Sequence, residues 1–264
     1  MSRGAVGDRA ASDRAASDRA ASGHVGADRV VTGAAPHELP TLVAAGEVQM
    51  AIDDALLDEV RIVVARRYEW SPSAVSLGKF QKVEEGAARE SAAADLTVVR
   101  RPTGGRAVLH GRGFEWSFAV VFPRGGLPYG SDAPYEVVAG AFAGALTDVG
   151  VIVDAVREAP YERSPLCFAT ALRHDLAVGG EKVVALAQAR RAGRVLVHGS
   201  VLERRPPPPL VAAIEDLVGR PWRGEGLAGA GCEVEGEALW RAFVARLSAS
   251  PLLRLSADDE EVPA

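Results

Sequence analysis

Between Val98 and Gly113 the chain reads VVRRPTGGRAVLHGRG, setting Arg100, Arg101 and a proline against the glycine pair Gly104 and Gly105, then adding Arg106, a short apolar run and His110. Glycine lets backbone amides come close to a ligand because no Cβ stands in the way. Guanidinium groups add forked donors suited to carboxylate, phosphate or a thioester carbonyl. Two readings of these residues stand side by side: a hairpin whose arginines point into water, and a cradle for something anionic or carbonyl-bearing. The segment is not a phosphate-binding P-loop, because no Gly-Lys-Ser/Thr follows the glycines. The two cysteines, Cys167 in PLCFAT and Cys232 in AGAGCEVEG, are too few for a disulfide framework and are not spaced for a structural zinc site, so no metal is expected. A reducing cytoplasm is the natural home for two such thiols. An isolated cysteine is most often a small buried apolar side chain, and Cys232 is given no other role.

The elements that must position these residues follow from periodicity. QMAIDDALLDEVRIVVARR, from Gln49 to Arg67, places Ile52, Leu56, Val60 and Val63 at helical spacing and predicts an amphipathic helix with acidic residues on its wet face. SAVSLGKF, LTVVRR and GFEWSFAVVFP read as strands, the last stopped by Pro123. Tyr135 to Gly150 reads as a second helix with Gly150 closing it. Arg173 to Leu202 reads as three consecutive strands with turns at Gly179-Gly180 and Ala192-Gly193. Two helices follow the proline run Pro206 to Pro209. Helices mixed with hairpins, without a strict strand-helix rhythm, predict an α+β fold with a single mixed or mainly antiparallel sheet and helices packed on it.

Composition sets the outer bounds. The 264 residues are 48% hydrophobic and 25% charged, enough for one sizeable core. A formal net charge of -5 gives no overall drive toward nucleic acid or anionic membrane, which makes a local arginine cluster informative. No apolar run approaches the roughly 18 to 20 residues of a membrane span. Residues 1 to 35 repeat ASDRA with balanced charges and lack the leucine, isoleucine and aromatic residues that could offset chain entropy, so this tail is expected to be disordered. Residues 36–250 are expected to form one domain, with a flexible tail at 251–264.

RRPTGGRAVLHG resembles the signature segment of the biotin/lipoate protein ligase superfamily, and three further segments resemble that family in the right order. QMAIDDALLDE is similar to its N-terminal helix, PSAVSLGKFQ to the strand that follows, and GEKVVALAQARRAGRVLVHGSVL to its lysine-bearing hairpin. Within the superfamily, Cys167 lying fifteen positions before Lys182 resembles the arrangement of LipM-type octanoyltransferases, as does GGRAVLH. The resemblance implies catalytic roles for Cys167 and Lys182, the lysine serving as the cation that stabilises a thiolate whose unperturbed thiol ionises near about 8.5. It implies a substrate-binding segment made of Arg100, Arg101, Thr103, Gly104, Gly105, Arg106, Ala107, Val108 and His110. Val108 would be a wall of an acyl tunnel, and His110 either a helper in deprotonating the acceptor or a structural histidine. The implied reaction moves an octanoyl group from acyl carrier protein through a cysteine thioester to a lipoyl-domain lysine, as on the glycine cleavage H protein. Such a reaction needs no resident cofactor, because phosphopantetheine arrives with the carrier, and exposed arginines such as Arg112 would suit docking of acidic partners. ALAQ, where the family commonly has Gly-Ser-Ala-Gln, and GRGFEWS after His110 depart from the pattern. ATP-dependent lipoate ligation and a non-catalytic carrier-binding protein on the same scaffold are the alternatives.

Overall fold

The computed structural model describes residues 35–82, 96–123, 132–155, 164–251 and 253. Its organisation follows from the strand Glu115–Phe122, in which all eight side chains are buried. A strand can bury both faces only inside a sheet that carries a layer on each side. In chain order the strands are β1 (His37–Ala44), β2 (Val64–Trp70), β3 (Ala74–Leu77), β4 (Thr97–Arg100), β5 (Val108–His110), β6 (Glu115–Phe122), β7 (Leu176–Val178), β8 (Glu181–Arg191) and β9 (Arg194–Leu202). The helices are α1 (Gly46–Glu59), α2 (Ala133–Asp148), α3 (Pro208–Val218), the short α4 (Gly226–Gly229) and α5 (Gly236–Ser248).

Six strands form one sheet in the order β1-β2-β6-β9-β8-β7, parallel only at the β1-β2 edge and antiparallel elsewhere. Alternation along β6 sends Trp116, Phe118, Val120 and Phe122 to one face, where Phe142 of α2 and Trp240 and Phe243 of α5 cover them. Ala119 and Val121 go to the other face and meet Met50 and Leu57 of α1. The α+β class with packed helices is as expected, but the sheet is not single. β3, β4 and β5 form a second, three-stranded sheet in the order β4-β3-β5. The second sheet carries the arginine-glycine segment between β4 and β5 and holds it over the α1 side of the large sheet.

Helix α1 ends at Glu59, well short of Arg67. The β-branched pair Val63-Val64 and the alternation through Trp70 favour a strand, and β2 is rewarded there by pairing with β1 and β6. Asp53 is the second departure, since it is fully buried and not on the wet face. Arg66 of β2 donates to it at 2.6 and 2.9 Å, and His198 of β9 lies 2.8 Å from its other oxygen. Asp54 and Asp58 do face outward, paired with Arg191. β1 carries no strong pattern because it is an edge strand with mostly exposed residues. Both predicted turns of the β7-β8-β9 meander are present, with positive φ at Gly179, Gly180, Ala192 and Gly193. The expected N-terminal tail lies outside the described residues except for Ala35, as does most of the C-terminal one. No helix among the described residues is long and apolar enough to cross a membrane.

The buried Asp53-His198 contact sets a pH dependence of stability. Burial works against the Asp53 carboxylate, but the Arg66 charge and the His198 hydrogen bond outweigh it and hold its pKa below the ordinary value. Burial also pulls His198 below its ordinary pKa, outweighing Asp53. Both folded-state values are depressed, so in each case the unfolded chain takes up the proton first. Stability is therefore fully present above the ordinary histidine pKa of about 6.5, declines as pH falls below it, and declines again below the ordinary aspartate value of about 3.9. Urea unfolding midpoints should fall from neutral pH toward about pH 5, and His198→Gln should flatten that stretch. A midpoint that held steady or rose on acidification would contradict the assignment.

Candidate active site

Cys167 opens a single 3-10 turn, Cys167–Ala169, that is clamped to the second sheet. Ala107 donates its N–H to Pro165 at 2.8 Å, and Cys167 donates its own N–H to the Ala107 carbonyl at 2.9 Å. The peptide just after the glycine loop therefore fixes where the thiol sits. Lys182 arrives from the large sheet, one residue into β8. Asp154 anchors the preceding turn by accepting the Gly179 and Gly180 N–H groups at 3.0 and 2.7 Å. The Lys182 ammonium is buried and lies 3.4 Å from Cys167 Sγ, while the half-buried sulfur lines a cavity.

Four acceptors surround that ammonium. Besides Sγ, it donates to the carbonyls of Cys167 and Thr170 at 3.0 and 3.3 Å, and it pairs with Asp175 Oδ2 at 2.7 Å. Asp175 is held in turn by the N–H groups of Leu172 and Leu186, at 2.8 and 3.0 Å. Burial pulls the lysine toward its neutral form, but the Cys167 sulfur and the Asp175 carboxylate outweigh it and raise its pKa above the ordinary value. The group is a fixed cation beside a thiol, the arrangement that stabilises a thiolate.

The cavity opens to solvent and lies between the two sheets. Met50, Trp70, Val108 and Leu186 line it together with several polar residues. Those polar side chains are satisfied by one another. Ser76 Oγ lies 2.8 Å from His110 Nε2, His110 Nδ1 lies 3.0 Å from Glu115, and Ser117 donates to the same Glu115 oxygen at 2.6 Å. Ser76 and Glu115 thus occupy both ring nitrogens of His110. On the other wall, Thr103 Oγ1 lies 2.7 Å from His198 Nε2. Groups whose hydrogen bonds are closed among themselves leave a wall that an alkyl chain can touch without stranding a donor.

The remaining predicted residues divide by what they touch. Arg101 is 5% exposed and donates to the carbonyls of Ser76, Gly104 and Arg106 at 2.9, 2.9 and 2.7 Å. It thus binds the glycine loop together from within, although it also borders the cavity. Arg100 donates to the carbonyls of Gly78 and Gln81 at 2.7 and 2.8 Å, fixing the chain after β3. Arg100 is nevertheless exposed and Arg101 reaches the cavity, so these carbonyl contacts are compatible with either reading of the arginines. Glycine is required at Gly105 by its φ of +99°, and at Gly78 because a Cβ there would lie 2.0 Å from the Gly105 carbonyl oxygen. Gly104 has open space where a side chain would be. Arg106 is half-buried, and its carbonyl is held by Arg101. Val108 lines the cavity, and His110 is 4% exposed and stacked on Trp70 at 4.0 Å between centroids. Arg112 is exposed but paired with Glu69 at 3.0 Å. Among the described residues, no cluster of three or more histidine, cysteine or acidic side chains is placed to hold a metal ion.

Residues 45–205 match the family model of the lipoyl protein ligase A/B catalytic domain. The chain belongs to that family. Curated relatives within it are octanoyltransferases of the LipM type. The protein of Exiguobacterium sp. is 34% identical over 65% of this chain and 67% of its own length. Those of Symbiobacterium thermophilum and Geobacillus kaustophilus are 36% and 35% identical, over 60% and 58% of this chain and 61% and 60% of their own lengths. Solved structures show the same fold at low identity. A lipoate-protein ligase A bound with ATP is 18% identical with a TM-score of 0.60, covering 84% of this chain and 92% of that one. The bipartite lipoate protein ligase of Thermoplasma acidophilum is 18% identical with a TM-score of 0.55, covering 85% and 90%.

The family frame brings Cys167 and Lys182 together but leaves two acids of the site unremarked in the sequence. Asp175 stands in RHDLAV, a single acid entering an apolar strand before the Gly-Gly turn, and that position was its only signal. Glu115 heads an otherwise apolar strand, which reads equally well as a solvated strand end.

Proposed function

We propose that this chain is an octanoyltransferase that moves an octanoyl group from acyl carrier protein, through a thioester on Cys167, to the lipoyl-domain lysine of an acceptor such as the glycine cleavage H protein. The observation that carries the reading is the buried Lys182 ammonium 3.4 Å from a half-buried Cys167 sulfur at a cavity, in a chain whose curated relatives are octanoyltransferases. Lys182 favours the thiolate form of Cys167, which attacks the thioester carbonyl of the loaded carrier. The tetrahedral intermediate collapses by expelling the phosphopantetheine thiolate, and the alkyl chain occupies the cavity beside Val108. The acceptor amine then adds to the Cys167 thioester, its surplus proton passes to solvent, and Cys167 leaves as thiolate.

Charge on the oxyanion calls for preorganised donors. The Cys167 amide is already given to Ala107, so the backbone amides of Gly104 and Gly105 take this role. Arg101 and Thr103 keep that loop in place, and His110, with both ring nitrogens occupied, serves as cavity wall. Since the donor is already a thioester, the reaction needs neither ATP nor a resident cofactor or metal. Both cysteines are free, which suits a reducing cytoplasm. The test is to supply an apo acceptor either with octanoyl carrier protein and no ATP, or with free octanoate and ATP. Transfer in the first mixture alone is expected; transfer that requires ATP and free acid would replace this reading with the ligase reading.

A further inference from the structure

We propose that Asp175 protects the acyl-enzyme from itself, by holding Lys182 as an ammonium so that the octanoyl group on Cys167 cannot pass to the lysine's own amine. The inference rests on the transfer reading above. An acyl carbon bonded to Cys167 Sγ stands one bond from an atom that is 3.4 Å from Lys182 Nζ. Lysine amine is also the nucleophile the acceptor presents, and one held this close gains the large advantage of an intramolecular reaction. The side reaction needs no other reactant. The Nζ lone pair adds to the carbonyl carbon, the C–N bond forms, the C–S bond breaks, and the surplus amine proton goes to the departing Cys167 thiolate. Its product is an amide that a thiolate does not reverse, so each such event would end the life of one enzyme molecule.

The danger is greatest when the site is loaded. In the free enzyme the Cys167 sulfur and Asp175 both favour the protonated lysine, but acylation takes the sulfur's contribution away. Burial then pushes a lysine toward its free amine. Asp175 Oδ2, at 2.7 Å and itself buried, is the counter-charge that remains. The carbonyls of Cys167 and Thr170 accept further N–H bonds and so favour the form with three protons. The neighbouring groups do not replace the carboxylate. Arg101, beside Cys167, is a cation, and Tyr135, near Asp175, is pushed by burial and by Asp175 up to about 12 and so stays neutral. His174 stacks on Tyr135 and faces Asp132 at 3.7 Å.

The experiment loads wild-type enzyme, Asp175→Asn and Asp175→Glu from octanoyl carrier protein, with no acceptor, and follows the octanoyl mass before and after hydroxylamine. Wild type and Asp175→Glu should carry only a hydroxylamine-labile adduct on Cys167. Asp175→Asn should accumulate a hydroxylamine-resistant octanoyl group on the peptide containing Lys182, at least about tenfold faster than wild type. A folded Asp175→Asn protein whose adduct stays labile, or a wild-type enzyme that forms the amide at the same rate, would overturn the proposal while leaving the transfer reading intact. Should Asp175→Asn not fold, loaded wild type decides the matter by itself. It should form no amide up to about pH 9, where an ordinary lysine already holds a few per cent free amine, and amide formation below that pH overturns the protective role. A wild-type enzyme that never loads Cys167 would overturn this proposal and the transfer reading together.

Discussion

Cys167→Ala is expected to lower octanoyl transfer by about 10³-fold or more, because removing a covalent nucleophile removes the pathway and not merely one stabilising contact. The fold should survive the change. Cys167 is only half-buried, at the edge of the cluster formed by Leu166, Phe168 and Trp222, and the turn that carries it is fixed by backbone bonds to Ala107. Carrier protein should still bind the variant. Cys167→Ser should take up acyl groups slowly and stall, since an oxygen ester is a poorer donor to an amine than a thioester. Steady-state transfer, carrier binding and melting temperature together check the expectation. An alanine variant that transfers at the wild-type rate would remove Cys167 from the mechanism.

Lys182→Met is expected to do two separable things. It removes the cation beside the sulfur, so alkylation of Cys167 by iodoacetamide near neutral pH should slow by about tenfold, and transfer should slow with it. It also strands the Asp175 carboxylate, whose side chain is 5% exposed, and breaking a buried pair in this way costs about 3 to 5 kcal/mol. Adding Asp175→Asn to Lys182→Met takes away the stranded charge and should recover most of that stability. Reactivity should not return, because no cation has been restored. Alkylation that recovered along with stability would mean that Lys182 acts through packing alone, and unchanged alkylation in Lys182→Met would deny it any role at the sulfur.

Much of the fold was legible because its strongest elements have unambiguous periods. The β7-β8-β9 meander is marked by turns whose Gly-Gly and Ala-Gly pairs take positive φ, and α2 closes at Gly150, also at positive φ. The failures have physical reasons. Val60 and Val63 continue the apolar spacing of α1 in sequence, yet pairing of Val64 with Val121 across two strands outweighs that local pattern. Asp53 looks like any surface acid of a helix until Arg66 and His198, 13 and 145 residues away, are placed against it. β1 depends on its neighbour β2 more than on its own residues.

The site was legible as residue types and less so as contacts. The arginine-glycine segment stood out, but Arg100 and Arg101 give donors to the carbonyls of the loop and its neighbours, a use that composition cannot distinguish from ligand binding. Cys167 and Lys182 were found as a pair because the family resemblance joined them. Asp175 was not found, because its contact with Lys182 exists only once the β7-β8 turn brings the lysine back over it.

The most direct test of the account is the mass of the enzyme itself. After mixing with octanoyl carrier protein in the absence of ATP and acceptor, the protein should gain one octanoyl group, on the peptide that contains PLCFAT. Hydroxylamine should remove it, and an apo lipoyl-domain acceptor should discharge it onto its own lysine. An enzyme that stayed unmodified while still transferring octanoyl groups, or one modified at a residue other than Cys167, would contradict the thioester mechanism.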